Sequence, residues 1–462
     1  MLTAALGTFI ANLGAAPSNP GAIAVPPAAL QTALLGMTDA IGVMLAARHE
    51  AVVECAKAAL LQPGDPGKAS VLLSAQRARP DDAAFINATA AHAFAMDDVA
   101  AGCHPSAILM PALLAEGEAR GASGAQVLRA YVAGFEVLSE LSQREPDGLH
   151  VTGWHPTGLL GPVAVAAAVA NLRQLPAEQC QHALAIAASM SGGLMASFGT
   201  PTKALHAGRC AQAGLLAVRL ASLGVTGAVQ ALEAPKGLLR TISPNGRVDL
   251  VTPFHRTSST LRILTEGLSL KQYPVCYSTH RLVDAAAALA ASPGFDVHRV
   301  ARIEVTTGTR QAAMAHHHQP RTGLEARYSV AFAVAAGLVA RNAGFAQLEP
   351  AFFESPVVRA VIAATQVVRD DTPNPEDPIF APSDRIQVWL EDGRSFASGD
   401  VAYARGHARL PLQADDVRRK FLDCARRGGF DHAEALFAQL GGLPTLDDVA
   451  ALAAPATAPA SA

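Results

Sequence analysis

Arg302-Ile303-Glu304-Val305-Thr306-Thr307 alternates apolar and polar side chains, the pattern of a strand with one face buried. Ile386, Val388 and Leu390 alternate in the same way. Asp392-Gly393 then supplies a type I′ turn into a returning strand at 394–397. Upstream of Leu264 nothing has this texture. Helical patterns at 279–291 and 324–341 lie between the strands. The span 269–402 is therefore expected to be a small α+β domain set into a helical protein.

Working outward, the first 260 residues read as one helix after another. Residues 28–47 follow a Pro-Pro breaker. A second helix is predicted over 81–99, which would place His92, Ala95, Met96 and Val99 on one face. Ser123 and Gln126 fit a capping box before 127–141. Pro176 suits the first helical position before 177–190. Gly224 suits a left-handed cap after 208–223. Beyond the strands, 414–427 and 432–440 return to helical period and are expected to pack back on the first domain. The expected fold class is mainly α: a large all-helical domain from 1–268 plus 403–452, an α+β domain at 269–402, and a low-complexity, disordered tail at 453–462.

Half of the 462 residues are hydrophobic and 16% are charged, below the globular average, so an oligomer interface is expected to cover part of the surface. Net charge is −3, with no basic stripe for nucleic acid and no polybasic segment for a membrane surface. No apolar run is expected to reach the ~18–20 residues of a membrane span. The first basic residue is Arg48, which argues against a signal peptide. Cys55, Cys103, Cys180, Cys210, Cys276 and Cys424 show no metal-ligand spacing and are expected to be free thiols in a reducing cytoplasm.

Four polar islands interrupt this apolar chain. The first runs from His92 to Ser106 and holds Asp97, Asp98 and His104. The second is Gly153-Trp154-His155-Pro156-Thr157-Gly158. The third spans 199–208 with Thr202-Lys203 and Leu205-His206. The fourth spans 271–280 with Lys271, Tyr273, Pro274-Val275-Cys276 and His280. In each, a Gly or Pro breaks regular structure and a cationic or titratable group sits at the break before a helix, an arrangement suited to an anion. Lys with several His suits a small polycarboxylate, and both can serve as acid or base. Asp97-Asp98 also reads as a solvated helix end. His316-His317-His318 has no carboxylate at ligand spacing and reads as a polar loop, so no metal site is expected. No glycine spacing fits a dinucleotide or phosphate loop.

Taken together, the islands resemble the MmgE/PrpD family, which includes 2-methylcitrate dehydratases, cis-aconitate decarboxylases and iminodisuccinate epimerases. The resemblance runs from Thr38-Asp39-Ala40-Ile41-Gly42-Val43 to Lys420-Phe421-Leu422-Asp423-Cys424 and includes Pro320–Arg327. It implies a homodimer, a cleft between two domains, no cofactor, and active-site residues at His104, His155, Lys203 and His280. In that scheme His104 is acid or base at the substrate carbon and His155 its partner. Lys203 and His280 hold carboxylates, and Asp97 orients an imidazole. Asp98, His92, His206, Lys271, Tyr273 and Arg327 are the expected substrate-binding residues. The chain departs from the family wording where the first Asp of its Asp-Phe-Asp-Asp-Thr run is Ala95, the Phe is Met96 and the hydroxyl is Val99. The implied activity is a lyase reaction, dehydration or decarboxylation, by proton transfer at the carbon beside a carboxylate. An epimerase of an imino- or amino-polycarboxylate and a non-catalytic polyanion-binding paralogue are the alternatives.

Overall fold

The computed structural model describes residues 1–62, 64, 67–374 and 380–453. Of the tail expected at 453–462, residues 454–462 lie outside the described residues, and Ala453 closes a short 3-10 turn, Val449–Ala453. The chain is mainly helical with a small α/β region. It divides into two units. One comprises Met1–Ala93, Asp97–Leu268 and Gln413 onward; the other comprises Phe94–Met96 and Ser269–Leu412.

The first unit is built around Pro156–Leu172, in which every residue is buried. An all-round apolar helix has no face to give to water and must be enclosed. Helices Pro105–Arg120, Gly124–Gln143, Ala177–Ala188 and Thr202–Ser222 enclose it. Small residues let the backbones approach: a Cβ on Gly214 would stand 2.5 Å from Val165 Cβ. Gly124–Gln143 begins with the expected capping box, Ser123 accepting from Gln126 N–H and Gln126 reaching back to Ser123. Such a cap contributes about 1 kcal/mol.

Pro27–Ala46 is long and apolar enough to cross a membrane by length and composition, contrary to the expectation from the sequence. Its stretch from Gly36 to Ala46 is buried in the helical unit, where Asp39 pairs with Lys420 of Ala414–Arg427 at 2.6 Å. The helix expected over 81–99 spans Pro80–Ala93. Ala95 takes a left-handed φ of +51°, which no continuing helix permits, so the shared face proposed for 92–99 does not form. Thr202–Ser222 starts six residues before the position expected, which places Lys203 in its first turn. Pro176 is an N-cap, one residue outside its helix.

In the second unit, strands Thr365–Asp370, Val300–Gly308, Arg385–Leu390 and Ser395–Ala397 lie side by side in that order. The first pair is parallel and the other two are antiparallel. Helices His280–Ala290, Val330–Ala340 and Pro356–Ala364 share its apolar core with Ile303, Val305, Ile386 and Val388. The single helix expected at 324–341 is two, Gly323–Ala326 and Val330–Ala340. Ser329 takes an extended conformation and caps the second by accepting from Phe332 N–H.

Candidate active site

Three of the four islands meet inside the helical unit. His92 lies in the last turn of Pro80–Ala93. Its Nδ1 is 2.9 Å from Asp97 Oδ2, and its Nε2 is 2.9 Å from Lys203 Nζ. Burial, only partly opposed by Asp97, pushes this imidazole down to about 3, so it is neutral near pH 7. A neutral ring that accepts from the Lys203 ammonium must carry its hydrogen on Nδ1 and donate it to Asp97.

His104 completes the chain on the other side, with Nδ1 3.1 Å from the same Asp97 oxygen. It also lies 2.9 Å from the carbonyl oxygen of Asp98. A carbonyl only accepts, so Nδ1 holds the hydrogen and the lone pair of the neutral ring is on Nε2. His104 is the N-cap residue of Pro105–Arg120, and its backbone N–H donates to Thr157 Oγ1 at 3.0 Å. Lys203, His92 and Asp97 thus form one hydrogen-bonded run in which a cation and a carboxylate flank a neutral imidazole, and His104 stands against its Asp97 end.

His155 precedes Pro156 at the start of the central helix. Its backbone N–H donates to Gly193 O at 3.0 Å, one of several ties lacing 153–158 to 192–195. The approach requires glycine: a Cβ on Gly158 would stand 2.5 Å from Gly192 O. The ring lies nearly parallel to His92 at 5.6 Å and edge-on to Phe198 at 5.1 Å. Nδ1 is 3.0 Å from His206 Nδ1, and Nε2 is buried without a hydrogen-bond partner among the described residues. Burial, then the charge of Lys203, holds His155 well below its ordinary pKa.

Asp97 and Asp98 are fully buried, which rules out the solvated helix end. Asp98 accepts from Ser106 N–H at 3.1 Å and from Ser106 Oγ at 2.6 Å, and Tyr131 Oη is 2.6 Å from that hydroxyl. The Asp98 carboxylate therefore caps the helix that carries His104, a role different from the substrate contact expected of it. Burial raises it to about 7.

The remaining expected residues belong to the second unit. His280 is fully buried between Tyr273 and Tyr277, each ring at 5.2 Å, with Nε2 3.3 Å from Val275 O. Lys271 Nζ donates to Ala95 O at 2.8 Å. Tyr273 donates to Asp284 at 2.7 Å, and its oxygen also meets Arg405. The Arg327 guanidinium lies 4.8 Å from the centre of the Phe94 ring. The left-handed backbone at Ala95 is one in which Asp and Asn are enriched, so the family's Asp suits this position and the alanine keeps only the conformation.

Sequence reasoning missed several partners. Thr157 and Ser106 stand inside quoted islands but gave no sign of their bonds, and Tyr131 is an apolar-period helix position. Phe198 lies 5.2 Å beneath Lys203 Nζ. His150 is pushed down to about 4 by burial and by Lys203. All six cysteines are free, and burial lifts Cys103 to about 12, far from a thiolate at neutral pH.

Ligand atoms of His92, His104 and His155 lie within 4.8 Å of one another, the one group of metal-ligand type among the described residues. A cation there would compete with the Lys203 ammonium for the lone pair of His92 Nε2.

The MmgE/PrpD N-terminal domain model matches residues 19–250, and the C-terminal domain model matches residues 273–439. The cis-aconitate decarboxylase of Homo sapiens is 30% identical over 397 residues, 81% of this chain and 79% of its own length. That of Mus musculus is 29% identical over 392 residues, 81% and 78% of the two chains. The cis-aconitate decarboxylase-like protein oryM of Aspergillus oryzae is 27% identical over 423 residues, 87% of each.

Proposed function

The chain belongs to the MmgE/PrpD family, and from that premise we propose that it is a homodimeric, cofactor-independent lyase that decarboxylates an unsaturated tricarboxylate of the cis-aconitate type. The observation that carries this is the hydrogen-bonded run from Lys203 through His92 to Asp97, with His104 Nδ1 3.1 Å from the same carboxylate oxygen. When the carbon–carboxylate bond breaks, carbon dioxide leaves and the electron pair stays on carbon, spread toward a neighbouring carboxylate. The Lys203 ammonium, buried and held by His92, is placed to stabilise that charge. The carbon must then receive a proton. Protonated His104 supplies it, and Asp97 at 3.1 Å stabilises the imidazolium beforehand. In its neutral form His104 offers a lone pair at Nε2, which would equally abstract a proton in a dehydration.

His104 and His155 stand with ring centres 6.1 Å apart, which also supports a two-base epimerisation. One experiment separates these readings. The protein is incubated in deuterium oxide with cis-aconitate, citrate, methylcitrate and iminodisuccinate and followed by NMR. Consumption of cis-aconitate with one deuterium placed in the product is expected, and His104→Ala and Lys203→Ala should each lower the rate by ~10²–10⁴-fold. Losses below tenfold in both variants would overturn the assignment. Deuterium in recovered substrate without loss of carbon dioxide or water marks the epimerase, and binding without turnover marks the polyanion-binding protein.

A further inference from the structure

The contact between His155 and His206 has a consequence for which atom His155 offers to a ligand. Two imidazole nitrogens 3.0 Å apart need one hydrogen between them, so one ring donates and the other accepts. The tautomers are thereby tied. If His206 donates, the hydrogen of His155 is on Nε2. If His155 donates, Nε2 carries a lone pair. The doubly protonated His155 is disfavoured by burial and by Lys203, His92, His104 and His206 around it.

His155 Nε2 is buried and has no hydrogen-bond partner among the described residues. Leaving such a group unsatisfied is costly, and a bound ligand atom would meet it. A carboxylate oxygen satisfies an N–H and is repelled by a lone pair. The His206 ring is less enclosed than that of His155. A Cβ on Gly193, whose φ is +134°, would stand 3.4 Å from His206 Nδ1, so the loop lies directly against the ring.

We propose that His206 is a positioning residue: its Nδ1–H donates to His155 Nδ1 and keeps His155 in the Nε2–H form, a buried donor for an anionic substrate. Both the substrate class and the choice of donor rest on the lyase reading, since it is an anionic ligand at Nε2 that selects the N–H form. The lone pair of neutral His206 then falls on its own Nε2.

Long-range proton–nitrogen NMR of the ¹⁵N-histidine protein, with no substrate present, reads the tautomer directly. Nε2 of His155 is expected to bear the hydrogen, and the opposite pattern in the wild-type protein overturns the proposal whether or not any variant folds. Two variants of equal size extend the test. His206→Asp can only accept, so it should move the hydrogen to His155 Nδ1 and lower kcat by ~10²–10⁴-fold. His206→Asn keeps an N–H donor and should preserve the Nε2–H pattern with less than tenfold loss. Equal tautomers in the two variants would also overturn it. If the tautomers come out as expected while no polycarboxylate is turned over, the lyase reading falls and the His206 assignment stands.

Discussion

Asp98 is a residue whose charge the helical unit supports poorly. Its partners are neutral donors, Ser106 N–H and Ser106 Oγ, and its charged neighbours Asp97 and Asp39 are both acidic. Burial leads the rise from 3.8 to about 7. Between those values the folded chain holds a proton that the unfolded chain has lost, so Asp98 makes stability fall as pH rises from about 4 to 7. A rise of this size corresponds to a difference of the order of 4 kcal/mol. His92 has the opposite sign: its folded value near 3 lies below 6.5, so stability falls as pH drops through that window. Asp98→Asn keeps the shape and can accept from Ser106 N–H while donating to Ser106 Oγ, but it cannot ionise. Urea unfolding at pH 5 and pH 8 should show the variant gaining on wild type by several kcal/mol toward high pH, with the acid limb from His92 unchanged. A difference independent of pH would refute this account.

Pro27–Ala46 and Ala414–Arg427 show how an element far along the chain is locked into the helical unit. A Cβ on Gly42 would stand 3.0 Å from Phe421 Cδ2, so the helices touch without a side chain on that face. Asp39 and Lys420, each with a side chain 2% exposed, form their charged tie. Removing one partner of such a pair leaves a buried charge and costs about 3–5 kcal/mol, whereas replacing both by apolar groups can be nearly neutral. Lys420→Met should therefore lower the unfolding free energy by about 3–5 kcal/mol, and Asp39→Leu added to it should recover most of the loss. A single-variant cost below 1 kcal/mol, or no recovery in the double variant, contradicts the pairing. Both helices were legible from period and punctuation alone, as was the strand pair 300–308 and 385–390, because each pattern is local. The strand Thr365–Asp370 was not, since its partly exposed side chains give no apolar run and its parallel pairing with Val300–Gly308 is non-local. The overshoot from Ala93 to Val99 has the same origin. Ala95 takes a left-handed conformation, and alanine carries no mark of it.

Across the whole molecule, the groups at His92, Asp97, His104, His155, Lys203 and His206 come from three separated islands, and no spacing rule joins them. What made them readable together was their joint family wording. The tautomers of His104 and His155, by contrast, depend on a carbonyl oxygen and on a second imidazole, neither of which a sequence displays. Only 16% of residues are charged, and in the helical unit Val151, Leu194, Leu223, Val225, Val229 and Val251 are exposed. Aliphatic side chains scattered singly need no explanation, but a low-charge surface carrying many of them suits burial against another chain. A stable interface covers about 800 Å² on each partner, ample to enclose several such side chains. The homodimer proposed above should therefore persist at micromolar concentration. Light scattering coupled to gel filtration is expected to give a mass of twice the 47.6 kDa of one chain, unchanged on moderate dilution and little affected by salt, because apolar contact is not screened. A single-chain mass across that range refutes the dimer, and a mass that falls steeply with added salt would trace the association to charge instead.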